Sequence, residues 1–141
     1  MGYSTGSHTL FHHRYHIVWA PKYRYEVLHG EVRTRVRDII RQVCAEMGVT
    51  IVSGALSRDH VHMFVEIPPK IAVSDFVRRA KGRSSRKIQQ EFEHIRKRFW
   101  GQRFWARGYF STTSGNITDD VIVTYLERHT APSKPGFSPA P

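Results

Sequence analysis

The sequence predicts an α+β domain of the ferredoxin-like (RRM-like) kind: a four-stranded antiparallel sheet with helices on one face, followed by a hinged C-terminal helix that bears a tyrosine. Three observations predict it. Residues 14–20 and 59–67 alternate apolar and polar side chains with the period of two that a half-buried strand requires. Residues 31–47 and 73–92 place apolar side chains three and four apart, the period of a helix with one buried face. The order of elements is strand, helix, strand, strand, helix, strand, helix, and its first six form the split β-α-β arrangement.

Along the chain, residues 1–10 are small and polar and read as a flexible N-terminus, residues 11–129 as one domain, and residues 130–141, with four prolines, as a disordered tail. The first strand alternates Tyr15, Ile17 and Trp19 against His16 and Val18 and ends at Pro21. Lys22-Tyr23-Arg24-Tyr25 then interleaves cations with rings, as phosphate contact and base stacking would require; a solvated turn is the alternative. The first helix carries Val32, Val36, Ile39, Ile40, Val43, Cys44 and Met47 on one face and stops at Gly48. Residues 49–56 are strand-like, and the Ser57-Arg58-Asp59 turn makes them one arm of an antiparallel hairpin. The second helix sets Val73, Phe76, Val77, Ala80, Ile88 and Phe92 against Arg78, Arg79, Lys81, Arg83, Arg86 and Lys87. Gly82 weakens its centre, as a packing notch or as a place where a phosphate backbone approaches. Residues 104–113 suit a last strand that brings Arg107 and Tyr109 near bound nucleic acid. After the hinge Ser114-Gly115-Asn116, Thr118 can cap a short helix with Asp119 and Asp120 in its first turn and Ile117 stapled onto Ile122.

The charge is uneven. The chain carries a net +10, and residues 70–107 hold 12 Lys and Arg against Asp75, Glu91 and Glu93. A basic stripe of that density is the footprint of a polyanion, and nucleic acid is the polyanion a cytoplasmic chain meets most often. The interface candidates are Lys22, Arg24, Arg78, Arg79, Lys81, Arg83, Arg86, Lys87, Arg103 and Arg107. No run approaches the roughly 20 apolar residues of a membrane span, and no signal-peptide pattern opens the chain, so the expected location is the cytoplasm. A single cysteine, Cys44, excludes an internal disulfide and a cysteine-based zinc knuckle.

In residues 59–67, His60, His62, Phe64 and Glu66 share one strand face and Val61, Met63, Val65 and Ile67 the other. Two imidazoles roughly 6 to 7 Å apart along a strand can converge on one divalent ion. Two polar residues on a wet face is the plainer reading. On the last helix, Tyr125 and His129 lie four residues apart, hence one turn apart on one face. A tyrosine phenol can attack a phosphodiester in line and store its bond energy as a phosphotyrosine. A metal would polarise the scissile phosphate and orient it. His129 would bring a third ligand alongside the nucleophile. Glu66 could support the site from the same face, and Asp59 shapes the turn.

Taken together, the His-hydrophobic-His strand, Pro21-Lys22-Tyr23-Arg24, the segment Lys81-Gly82-Arg83-Ser84-Ser85-Arg86, and Gly108-Tyr109-Phe110-Ser111-Thr112-Thr113-Ser114-Gly115 leading to Val123-Thr124-Tyr125-Leu126 resemble the IS200/IS605-family transposases over roughly residues 8–130. The resemblance implies a single-tyrosine HUH enzyme that nicks and rejoins insertion-sequence ends as single-stranded DNA. It implies His60 and His62 as ligands of a divalent ion, Mg2+ or Mn2+, and Tyr125 as the nucleophile that takes the 5′ phosphate. It further implies homodimers in which the tyrosine helix of one subunit completes the metal site of the other, DNA hairpins as partners, and neither a membrane nor a small-molecule substrate. The family's usual third ligand is a glutamine, where this chain has His129. Two alternatives remain: a domesticated enzyme acting on repetitive palindromes, and a non-catalytic RRM-like module that binds single strands.

Overall fold

The structure is a computed structural model that describes residues 13–113 and 119–127. Alternation in the first segment produces β1 (Arg14–Trp19), with Ile17 and Trp19 fully buried on one face. A short 3-10 turn (Lys22–Arg24) leads to α1 (Gly30–Met47), which Gly48 ends in the left-handed conformation at φ 71°. The buried face of α1 is Val32, Val36, Ile39, Ile40, Val43 and Cys44. β2 (Thr50–Ser57) and β3 (His60–Glu66) form a hairpin across Arg58 and Asp59, with Ser57 opposite His60. α2 (Val73–Glu91) buries Phe76, Val77, Ala80, Ser84 and Ile88, and is followed by α3 (Glu93–Arg98), β4 (Phe110–Thr112) and α4 (Asp119–Glu127).

The strands lie in the order β2-β3-β1-β4, each antiparallel to its neighbour, as the split β-α-β pattern requires. On one side Val61, Met63 and Val65 of β3 join Ile17 and Trp19 of β1 in a core closed by α1, α2, Phe99, Phe104 and Trp105. Each large side chain in it contributes roughly 1.5 to 3 kcal/mol of apolar transfer. The helices are also tied outside the core: Arg35 binds Glu91 at 2.7 and 2.9 Å, and Arg83 binds Glu46 at 2.7 and 2.8 Å. These forked pairs are exposed and add specificity more than stability.

Three features differ from the sequence expectation. The last strand is three residues, not the ten of 104–113. Residues 104–106 do run beside the end of β1, where the Lys22 and Ala106 N–H groups donate to the carbonyls of Phe104 and Ala20 at 2.8 Å each. Gly108, at φ 82°, then turns the chain out of the ladder, and pairing resumes only at Phe110. Secondly, α2 is broken at Phe92, whose backbone is extended, and α3 follows. The segment Glu93–Arg98 has one buried apolar residue, Ile95, and so no amphipathic period to reveal it. Thirdly, the face expected to be open is partly covered. α4 seats Tyr125 and Leu126 on Val18, Ala20 and Phe110, a small second core on the side away from α1 and α2.

Among the described residues Gly82 is no packing notch: a Cβ there would meet none of their atoms within 4 Å outside its own helix backbone. The hinge residues Ser114, Gly115 and Asn116, the staple and cap at Ile117 and Thr118, His129, and the segments 1–10 and 130–141 lie outside the described residues.

Candidate active site and nucleic-acid interface

β3 alternates as its sequence does. Val61, Met63 and Val65 are buried, while His60, His62, Phe64 and Glu66 are half-buried on the opposite face, the one α4 shares. That the histidines face away from the main core follows from the pleat alone.

His60 is oriented by its neighbour. Its Nδ1 lies 2.9 Å from Asp59 Oδ1, and Arg24 Nε donates to Asp59 Oδ2 at 2.7 Å. A carboxylate beside Nδ1 holds the proton there and leaves Nε2 as the basic nitrogen, the arrangement in which histidines commonly bind metals. Burial alone would raise the Asp59 carboxyl, but the bonds from His60 and Arg24 outweigh it and keep it below the usual carboxylate range. Arg24 reaches Asp59 from a strained turn: Tyr23 and Arg24 both have positive φ, 61° and 58°. Two consecutive non-glycine residues in that region cost of order 1 to 3 kcal/mol each and persist only where surrounding contacts impose them. Thus Asp59 does more than shape the hairpin, and Arg24 is engaged inside the site. Tyr25 is likewise engaged, its ring 5.5 Å from Phe99 with the Arg98 guanidinium 4.0 Å above it. Among the described residues Glu66 pairs with Arg14 at 3.4 Å and with no histidine.

His62 meets a residue that sequence spacing did not single out. His16 Nδ1 lies 3.2 Å from His62 Nε2, and the His16 ring stacks on Phe64 at 4.3 Å and 15°. The signal was available in the topology. His16 and Val18 occupy alternate positions of β1, and central strands β1 and β3 pair with Val18 opposite His62 and His16 opposite Phe64. Pairing the two strands on paper places His16 on the histidine face.

Val18 is also opposite Phe110 of β4 and lies under α4. Tyr125 is 8% exposed and its ring is 6.1 Å from that of Phe110. Burial pushes its phenol well above the ordinary tyrosine value. The tyrosine helix therefore rests on the residue directly across the ladder from His62. Among the described residues no three His, Cys, Asp or Glu side chains gather as a metal site; His60 and His62 share one strand face, and His129 lies beyond the described residues.

The basic residues gather elsewhere, where α2 meets the segment leading to β4. A cavity of about 560 Å³ is lined by Arg78, Lys81, Arg86, Arg103 and Arg107, with Val77, Trp105 and Tyr109 as apolar wall and Gly82 on its rim. An adjoining hollow shares Arg103, Trp105 and Arg107 and adds Lys22. Lys81 Nζ donates to the carbonyls of Ala106 and Gly108 at 2.8 Å each, and Trp105 Nε1 donates to Ser84, so the walls are fixed to α2. Desolvation, helped by Arg103, brings the Lys81 ammonium down to about 8. Arg79 is exposed on α2 and Lys87 half-buried there, while Arg83 is held by Glu46.

The fold has close parallels. The IS200-like transposase family model matches residues 9–129. The chain belongs to the IS200-like transposase family. It is 40% identical over 124 residues to the transposase of insertion sequence element IS200 from Salmonella typhimurium, covering 86% of this chain and 82% of that one. To the ISDra2 transposase TnpA of Deinococcus radiodurans it is 34% identical over 113 residues, covering 80% and 81%. A crystal structure of a transposase from Deinococcus radiodurans superposes with a TM-score of 0.81 at 31% identity, over 92% of this chain and 99% of that one. The fold is shared at 14% identity and a TM-score of 0.58 with a REP-associated tyrosine transposase solved on a REP hairpin, over 92% and 68% of the two chains. No helix among the described residues is long and apolar enough to cross a membrane.

Proposed function

We propose that this transposase cuts and rejoins single-stranded DNA at the ends of an insertion sequence through a 5′-phosphotyrosine on Tyr125, with a divalent ion held by His60, His62 and His129. The observation that carries the reading is the Arg24–Asp59–His60 chain, in which Asp59 Oδ1 lies 2.9 Å from His60 Nδ1, an investment that a merely solvated histidine does not need. The residues fit such an ion: two imidazoles share a face, one has its tautomer set by a carboxylate, and a tyrosine helix lies on the adjoining strand. Magnesium or manganese bound there would polarise the scissile phosphate and offset charge on the departing 3′ oxygen.

The remaining chemistry belongs to the chain. Tyr125 Oη forms a bond to phosphorus as the bond from phosphorus to the 3′ oxygen breaks, giving a 5′-phosphotyrosine and a free 3′ hydroxyl after proton transfer; attack by a 3′ hydroxyl reverses it. Because Tyr125 is buried against Val18, Ala20 and Phe110, the phenol must first be exposed to substrate by movement of α4. The groove between α2 and residues 103–109 supplies cations for phosphates and rings for bases, and supports its assignment to DNA, with a hairpin as the partner. A homodimer is supported by β2, an eight-residue edge strand with Ile51 and Val52 37% and 43% exposed.

The reading is tested by incubating the protein with single-stranded element ends and Mn2+. A protein–DNA adduct that survives a denaturing gel is expected, and its absence with every strand tried would contradict the proposal. The groove makes a separate expectation. Lys81, with its value near 8, is mostly charged at pH 7 and mostly neutral at pH 9. Single-strand affinity should therefore fall by about threefold to tenfold across that interval, and the fall should be absent in Lys81→Met, as measured by fluorescence anisotropy at constant salt.

A further inference from the structure

The role of His16 is not absorbed by the mechanism above. It sits on central strand β1, is 8% exposed, and its Nδ1 is 3.2 Å from Nε2 of His62. Its own Nε2 is buried with no hydrogen-bond partner among the described residues. Burying a polar ring for packing alone is costly, because each buried polar atom without a partner carries a desolvation penalty. Val18, two residues on, shows what the same strand face uses where only packing is needed. His16 instead keeps an imidazole and applies it to one neighbour. The stack on Phe64, 4.3 Å between centroids at 15°, fixes the plane of the His16 ring and so the direction in which Nδ1 points.

We propose that His16 is a positioning residue for the metal site: it holds the His62 ring at Nε2 and leaves Nδ1 of His62 for the ion, whereas Asp59 holds the His60 ring at Nδ1 and leaves Nε2. The inference rests on the reading of His60 and His62 as metal ligands. Each histidine of the pair would then be oriented by a neighbour among the described residues, a carboxylate from the hairpin turn for His60 and an imidazole from the neighbouring strand for His62. Residues that orient metal-binding histidines typically change metal affinity by about 10- to 100-fold when removed.

The test is Mn2+ binding to the full chain without DNA, followed by the EPR signal of the free ion, with a melting curve for each variant. Wild-type protein is expected to bind and His60→Ala to lose binding. His16→Leu fills the space without a polar atom, and should weaken Mn2+ binding by about 10- to 100-fold. His16→Asn places an amide where Nδ1 lies and can donate or accept, so it should restore most of the affinity whichever ring carries the proton. His16→Gln reaches past that point to the position of Nε2 and should not.

Wild-type affinity in His16→Leu, or a loss in His16→Leu that His16→Asn does not repair, would overturn the proposal. Should His16→Leu fail to fold, equal Mn2+ affinity in the Asn and Gln variants would overturn it, and a difference in favour of Asn would support it. Wild-type protein that binds no Mn2+ would instead remove the underlying metal reading, an outcome distinct from selective failure at His16.

Discussion

Replacing Tyr125 by phenylalanine is expected to abolish the covalent adduct, by about 10³-fold or more, while leaving the fold intact. The ring contacts with Val18, Ala20, Leu126 and Phe110 are apolar and survive the loss of the hydroxyl, so the folded state should persist, as a melting curve would show. The variant thereby separates chemistry from packing. A tyrosine at this spot in a helix is ordinarily a core residue, and here it is also one, which is why its burial alone says nothing about catalysis. An undiminished adduct from Tyr125→Phe, seen on a denaturing gel, would remove it as nucleophile.

His60→Ala is expected to have an effect of similar size by a different route. It removes one imidazole donor and leaves the Asp59 carboxylate with Arg24 alone, so cleavage should fall by about 10²-fold or more at saturating Mn2+, while single-strand binding stays near wild type. Chelation of divalent ions by EDTA should reproduce that pattern in the wild-type protein. Cleavage by His60→Ala within a few-fold of wild type would show that the strand histidines do not serve the reaction. Equal binding and unequal cleavage are informative because the cations of the groove between α2 and residues 103–109 are distinct residues from the histidine pair.

Much of this architecture could be read from periodicity. The alternation at residues 60–67 fixes which side chains face the core, and α1 and α2 announce themselves by steps of three and four. What periodicity could not provide were features set by chain-distant partners. Arg24 reads as an ordinary cation beside two tyrosines, yet its place is determined by Asp59, 35 residues away. Arg83 reads as part of a basic face and is bound by Glu46 of α1. His16 carries no motif, and its meaning arises only when β1 is laid beside β3.

Short elements were the other blind spot. α3 is too short and too polar to show a period, and the last strand is cut to three residues by the single left-handed Gly108. Coverage of the histidine face by α4 depends on tertiary docking of two side chains, Tyr125 and Leu126, which local pattern does not encode. That docking has a chemical consequence: burial makes the Tyr125 phenol harder to ionise.

The most direct measurement is to form the adduct with a single-stranded end and Mn2+, digest it, and locate the nucleotide by mass spectrometry. The expected result is one modified peptide in which Tyr125 carries the DNA through a 5′ phosphate, with a free 3′ hydroxyl on the released fragment. DNA attached to any other residue would contradict the assignment of Tyr125, and attachment through a 3′ phosphate would contradict the polarity of the reaction.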